Sequence, residues 1–90
     1  MAPGSEIVHF NLGSVYLRMG KVKKAIEEYL TCTRLAPDFV HPYVMLYKIY
    51  QRMGKTEMAE RVKRKVMKMR KNGREIFSFL ERKRRKKIHG

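Results

Sequence analysis

The sequence predicts an all-α chain of stacked antiparallel helical hairpins, with about five helices. Glycine and proline divide its 90 residues into short stretches whose apolar side chains recur at helical spacing. Sliding the sequence by 34 residues aligns Leu12 with Leu46, Tyr16 with Tyr50 and Ala25 with Ala59, and superposes the run Arg18-Met19-Gly20-Lys21 on Arg52-Met53-Gly54-Lys55. A repeat of that period is the signature of stacked helix pairs. Hydrophobic residues make up 43% of the chain, which supports one modest core rather than disorder, and no apolar run approaches a membrane span.

Residues 1–5, with Pro3 and Gly4, read as a leader outside the fold, and Ser5 is placed to cap a first helix running to about Met19. Glu6 then meets the positive end of the helix dipole, and Gly20 stops the helix. From about Val22 to Ala36, Ala25, Ile26, Tyr29, Leu30 and Leu35 form an apolar stripe, closed by Pro37 because the residue before a proline is pushed out of the α region. A third helix spans Val40 to Met53, with Pro42 in its first turn where a missing amide proton costs little. A fourth runs from about Thr56 to Lys71, with Met58, Ala59, Val62, Val66 and Met69 on its stripe. The pair Asn72-Gly73 then marks a stop, and Arg74 to about Lys87 reads as a last helix with Ile76, Phe77 and Leu80 on its apolar side.

Within the first copy the residues run His9-x2-Leu12-Gly13-x2-Tyr16, then Ala25-x3-Tyr29, then Pro37. This pattern resembles the tetratricopeptide repeat, whose consensus is Trp-x2-Leu-Gly-x2-Tyr, Ala-x3-Phe and Pro, with only the tryptophan replaced outright. The second copy keeps Tyr43, Leu46, Tyr50 and Ala59, but Tyr47 replaces the close-packing glycine, Lys63 the aromatic and Lys71 the proline. The resemblance implies a short right-handed solenoid: a first repeat at 6–39, a degenerate second at 40–73 and a capping helix with a basic tail at 74–90. In that last segment Phe77 and Leu80 align with Tyr43 and Leu46, while Glu81 and Arg84 replace Tyr47 and Tyr50, as a cap with an inner apolar and an outer polar side requires.

In this family the first helix of each pair generally lines a concave groove that holds a peptide or a partner helix. Carried over, that groove comprises Ile7, Phe10, Ser14, Leu17 and Arg18 with His41, Val44, Lys48, Gln51 and Arg52. The mixture of apolar and basic side chains suits a protein or peptide ligand with apolar anchors and some negative charge. Phe10, Leu17 and Val44 would equally pack on a missing neighbour or on the mate of a homodimer. The family's clamp for chaperone tails is not expected, because Phe10, Ser14, Val44 and Met45 stand where polar donors are needed, leaving only Asn11 and Lys48.

A formal net charge of +14 is unevenly spread. Residues 1–45 hold five Lys/Arg against four Asp/Glu, and residues 46–90 hold seventeen against four, giving +1 and +13. One cluster is Arg61, Lys63, Arg64, Lys65, Lys68, Arg70 and Lys71. The other is the run Arg82, Lys83, Arg84, Arg85, Lys86 and Lys87. Such a surface suits an acidic protein, a nucleic acid bound through its phosphates, or an anionic membrane surface, and it equally serves as a solvated tail.

Catalytic groups are sparse. His9, His41 and His89 are far apart in sequence, and His9 takes an aromatic packing place where a core or helix-contact role is expected. Cys32, the one cysteine, sits at a small-residue packing position. No spacing matches a metal site or a phosphate loop, so neither cofactor nor enzymatic activity is expected. The lone cysteine and the lack of a secretory signal suit a reducing, cytosol-like compartment, or the nucleus of a eukaryote.

Overall fold

A computed structural model describes residues 4–69, which form four α-helices: α1 (Ser5–Arg18), α2 (Val22–Leu35), α3 (Val40–Arg52) and α4 (Thr56–Met67). The helices pack in chain order, α1 on α2, α2 on α3 and α3 on α4, so two antiparallel hairpins are stacked through α2 and α3. There is no strand among the described residues. The expected fifth helix at 74–87 lies outside them.

Both hairpins turn by the same device. The amide of Gly20 donates to the Leu17 carbonyl (3.1 Å) and that of Lys21 to Tyr16 (2.9 Å). Gly54 donates likewise to Gln51 (3.1 Å) and Lys55 to Tyr50 (2.8 Å). These paired bonds satisfy carbonyls that the helix end leaves open, and they require a residue in the left-handed region. Gly20 at φ 79° and Gly54 at φ 76° supply it without Cβ strain. The repeated Arg-Met-Gly-Lys is therefore a repeated turn.

At the start of α1 the outcome differs from the sequence expectation. Gly4, at φ 87°, occupies the cap position and its carbonyl accepts the amides of Ile7 (3.0 Å) and Val8 (3.3 Å), so Ser5 opens the helix rather than capping it. Two stripe residues also differ, since Leu30 and Met58 are exposed. Leu30 follows Tyr29 by one residue, which turns it about 100° away from the contact that Tyr29 makes.

The core joins Ala25 and Tyr29 of α2, Tyr43, Leu46, Tyr47, Ile49 and Tyr50 of α3, and Ala59 and Val66 of α4, with Phe10, Tyr16 and Leu17 of α1 packed against it. Its tightest point is Gly13 against Tyr29. A Cβ placed on Gly13 would stand 2.9 Å from Tyr29 Cε1. The absent side chain lets α1 lie close on α2, and Ala25, fully buried, keeps the same seam narrow from the α2 side. The Tyr43 hydroxyl donates to the Pro37 carbonyl at 3.2 Å and ties α3 to the turn that ends α2.

Gly13→Ala should lower stability by about 1–2 kcal/mol net, because the forced shift of a fully buried ring outweighs the better helix propensity of alanine. The midpoint of urea unfolding followed by circular dichroism measures this, and an unchanged or raised midpoint would contradict the close-contact reading.

Candidate functional site

The seam between α1 and α3 is closed at one end and open at the other. At the closed end the Phe10 ring lies 5.5 Å from those of both Tyr29 and Phe39 and 6.2 Å from that of His41. Phe39 and His41 meet edge-on at 5.6 Å. These tilted aromatic contacts fasten α1, α2 and the start of α3 together. Toward the helix C-termini the helices leave a cavity of about 830 Å³, open to solvent and lined by Leu17, Val22, Met45, Lys48, Ile49, Gln51, Arg52 and Met53. Its walls are mainly apolar, its charged members are Lys48 and Arg52, and no acidic side chain lines it.

Of the first-helix residues assigned to a groove from the sequence, Leu17, Lys48, Gln51 and Arg52 line this cavity. Ile7 and Arg18 are exposed on α1, and Val44 is half-buried against the core. Phe10 and His41 belong to the aromatic end. Ser14 is engaged inward: its hydroxyl donates to the Phe10 carbonyl (3.2 Å) and accepts from the Tyr29 hydroxyl (3.0 Å). Val22, Met45, Ile49 and Met53 complete the lining and were not among the sequence-derived residues. Val22 comes from the second helix of the hairpin, which a rule confined to first helices omits, and Met45 and Ile49 line the cavity from α3.

Gln51 has a fixed place at the cavity edge, because its Nε2 donates to the Tyr47 hydroxyl at 2.9 Å. Tyr47 is buried at the position where the first repeat has Gly13, so the bulky side chain of the second hairpin comes from its first helix.

Among the basic residues, Arg61, Arg64, Lys65 and Lys68 are exposed and Lys63 is half-buried. Lys65 Nζ stands 5.8 Å over the Tyr43 ring, which takes part of its charge into a cation–π contact. Arg70, Lys71, Arg82, Lys83, Arg84, Arg85, Lys86 and Lys87 lie outside the described residues.

His9 Nδ1 lies 2.6 Å from Glu28 Oε1, joining α1 to α2 at a half-buried site, which is a helix-contact role. Cys32 is fully buried and its thiol donates to the Glu6 carbonyl at 3.2 Å. Burial, and after it the negative charge of Glu28, pushes that thiol up to about 11. Burial also raises the Tyr43 and Tyr50 hydroxyls above the ordinary phenol value, with Asp38 adding to the effect at Tyr43. No three His, Cys, Asp or Glu side chains converge as a metal site among the described residues, and no described helix is long and apolar enough to cross a membrane.

Residues 8–39, covering α1 from Val8, all of α2 and the turn to Phe39, match the family model of the tetratricopeptide repeat. Repeats of this kind generally mediate protein–protein interaction. No curated protein and no solved structure matches the chain.

The three raised acidic groups stabilise the fold only while neutral. Their contribution is complete below the unfolded-state values and is lost as pH rises through the folded ones, for Cys32 between 9.0 and about 11. Urea midpoints should therefore decline above about pH 9, and at pH 8 Cys32 should react with an aromatic disulfide reagent far more slowly in the native chain than in urea. Rapid labelling of the folded chain at pH 8 would refute the buried, neutral thiol.

Proposed function

We propose that this chain, whose first hairpin is a tetratricopeptide repeat, is a non-enzymatic interaction module that holds an acidic amphipathic segment of a partner protein in the cavity between α1 and α3. The observation that carries the proposal is the composition of that cavity. Leu17, Val22, Met45, Ile49 and Met53 offer apolar anchorage, Lys48 and Arg52 add positive charge, and no carboxylate opposes an acidic ligand. Apolar burial would supply the affinity, and the cations would select among ligands and speed encounter. The exposed Arg61 and Arg64 of α4, and Lys68 just after it, extend the positive field beyond the cavity.

The same exposed cations support nucleic acid as a second reading, and salt separates the two. Binding through phosphates weakens steeply and linearly on a log–log scale with salt, whereas a cavity-held peptide keeps its apolar share of affinity.

Lys48→Glu combined with Arg52→Glu should weaken binding of a fluorescent acidic amphipathic helical peptide by about tenfold or more, equivalent to ~1.4 kcal/mol. Arg61→Gln with Arg64→Gln should change it less. Fluorescence anisotropy at two salt concentrations, with a single-stranded oligonucleotide as the competing probe, checks this. Loss of binding from the α4 variant alone, with oligonucleotide bound more tightly than peptide, would overturn the cavity reading in favour of nucleic acid.

A further inference from the structure

The side of α1 turned away from the core carries Val8, Leu12 and Val15, continued by Met19 at the helix end, and these are 64%, 37%, 47% and 57% exposed. Their spacing of four, three and four places them on one stripe, and no ionisable residue interrupts it. Phe10 and Leu17 lie on the opposite side, packed against the core, so α1 carries apolar residues on two faces, the pattern of a helix covered on more than one side.

The second hairpin shows what such a stripe does when covered. At the 34-residue offset, Val8, Leu12 and Val15 correspond to Pro42, Leu46 and Ile49 of α3. All three are buried, Leu46 at 1% and Ile49 at 4% exposure, and α3 packs on α2. Met19 corresponds to Met53, which is 41% exposed, so three of the four stripe positions are buried in one hairpin and bare in the other.

We propose that a second copy of this chain covers the bare stripe, α1 against α1 in an antiparallel, two-fold pair. Charge and spacing favour this occupant and this arrangement. Stacking copies head to tail would bring α4 onto α1, but α4 carries Thr56 and Glu60 where α2 carries Val22 and Ile26, both packed against the core. An ion-bearing face of that kind cannot replace an apolar one without burying its charges. Pairing through α1 instead joins the nearly neutral first hairpins and keeps the two α3–α4 hairpins, where residues 46–69 hold eight Lys/Arg against two Asp/Glu, at opposite ends, where their repulsion is least. The spacing four, three, four is its own reverse. A two-fold axis through its middle therefore sets Val8 of one copy against Met19 of the other and Leu12 against Val15, the self-complementarity that an isologous contact needs. On the border with α2, Lys24 stands 5.6 Å over the Tyr16 ring and Glu28 holds His9.

Sedimentation equilibrium of the full 90-residue chain at concentrations on the order of 100 μM tests the proposal. The expected mass is twice that of a single chain. Leu12→Glu with Val15→Glu should sediment as a monomer with an unchanged helical circular dichroism spectrum, and so should Val8→Lys, whose more exposed site serves where the double variant misfolds. Glu60→Lys with Arg64→Glu, on α4, should remain a dimer. A monomeric unaltered chain, or a dimer that survives the folded α1 variants, would overturn the proposal; so would a dimer lost only on changing α4, which would establish head-to-tail contact. The monomeric α1 variants should still bind the acidic peptide, since the cavity lies on the side of α1 that Leu17 faces, so failure of either reading leaves the other separately testable.

Discussion

The close approach of Gly13 to Tyr29 governs the rest of the structure. With no side chain at position 13, α1 lies against the face of the Tyr29 ring, and the hydroxyl of that tyrosine reaches Ser14. Ser14 in turn bonds back to Phe10, whose ring touches Tyr29, Phe39 and His41. One tight contact thereby sets the height of α1 on α2 and the place where α3 begins. The α1–α3 seam is packed where these rings meet and open farther along, so the cavity is a consequence of where the aromatic residues ran out.

The second hairpin solves the same packing problem with the sizes exchanged. Tyr47 stands at the glycine position and Lys63 at the tyrosine position, so the large ring now projects from the first helix of the pair and is buried there. This substitution reads in the sequence as decay of the repeat, but it has a structural use. Tyr47 orients Gln51 at the cavity edge through a 2.9 Å hydrogen bond, a contact that a glycine could not make. Departure from the repeat pattern and formation of the candidate site involve the same residue.

How much of this was legible in the sequence depends on the range of the interaction. The four described helices follow from local signals: Gly20 and Gly54 where left-handed backbone is needed, Pro37 and Pro42 at helix boundaries, and the 34-residue repetition that pairs them. Cys32 at a small-residue position was also readable, because burial there follows from helix periodicity. The cap at Gly4 was not, since Ser5 is the better capping residue in isolation and only the path of the chain prefers its neighbour. Nor were the contacts of Phe39, which lies in a turn with no periodic pattern yet packs on a residue 29 positions earlier. The groove inferred from first helices alone extended evenly along α1 and α3. The actual cavity is shorter because a contact between distant residues fills one end, and it is deeper because Val22 of α2 contributes a wall.

The excess of positive charge in the described residues has two separable origins. Each helix carries a basic residue in its last turn, namely Arg18, Arg34, Arg52 and the pair Arg64 and Lys65, where a cation interacts favourably with the helix dipole. That part of the charge needs no ligand to explain it. At α3, however, the amides of Met53, Gly54 and Lys55 already satisfy the carbonyls of Ile49, Gln51 and Tyr50. Arg52 is therefore not required to cap them, and its guanidinium stands exposed at the cavity beside Lys48. The hairpin turn that defines the repeat thus leaves this cation unused by the helix end, and placing that turn at the open end of the seam gives the cavity its sign.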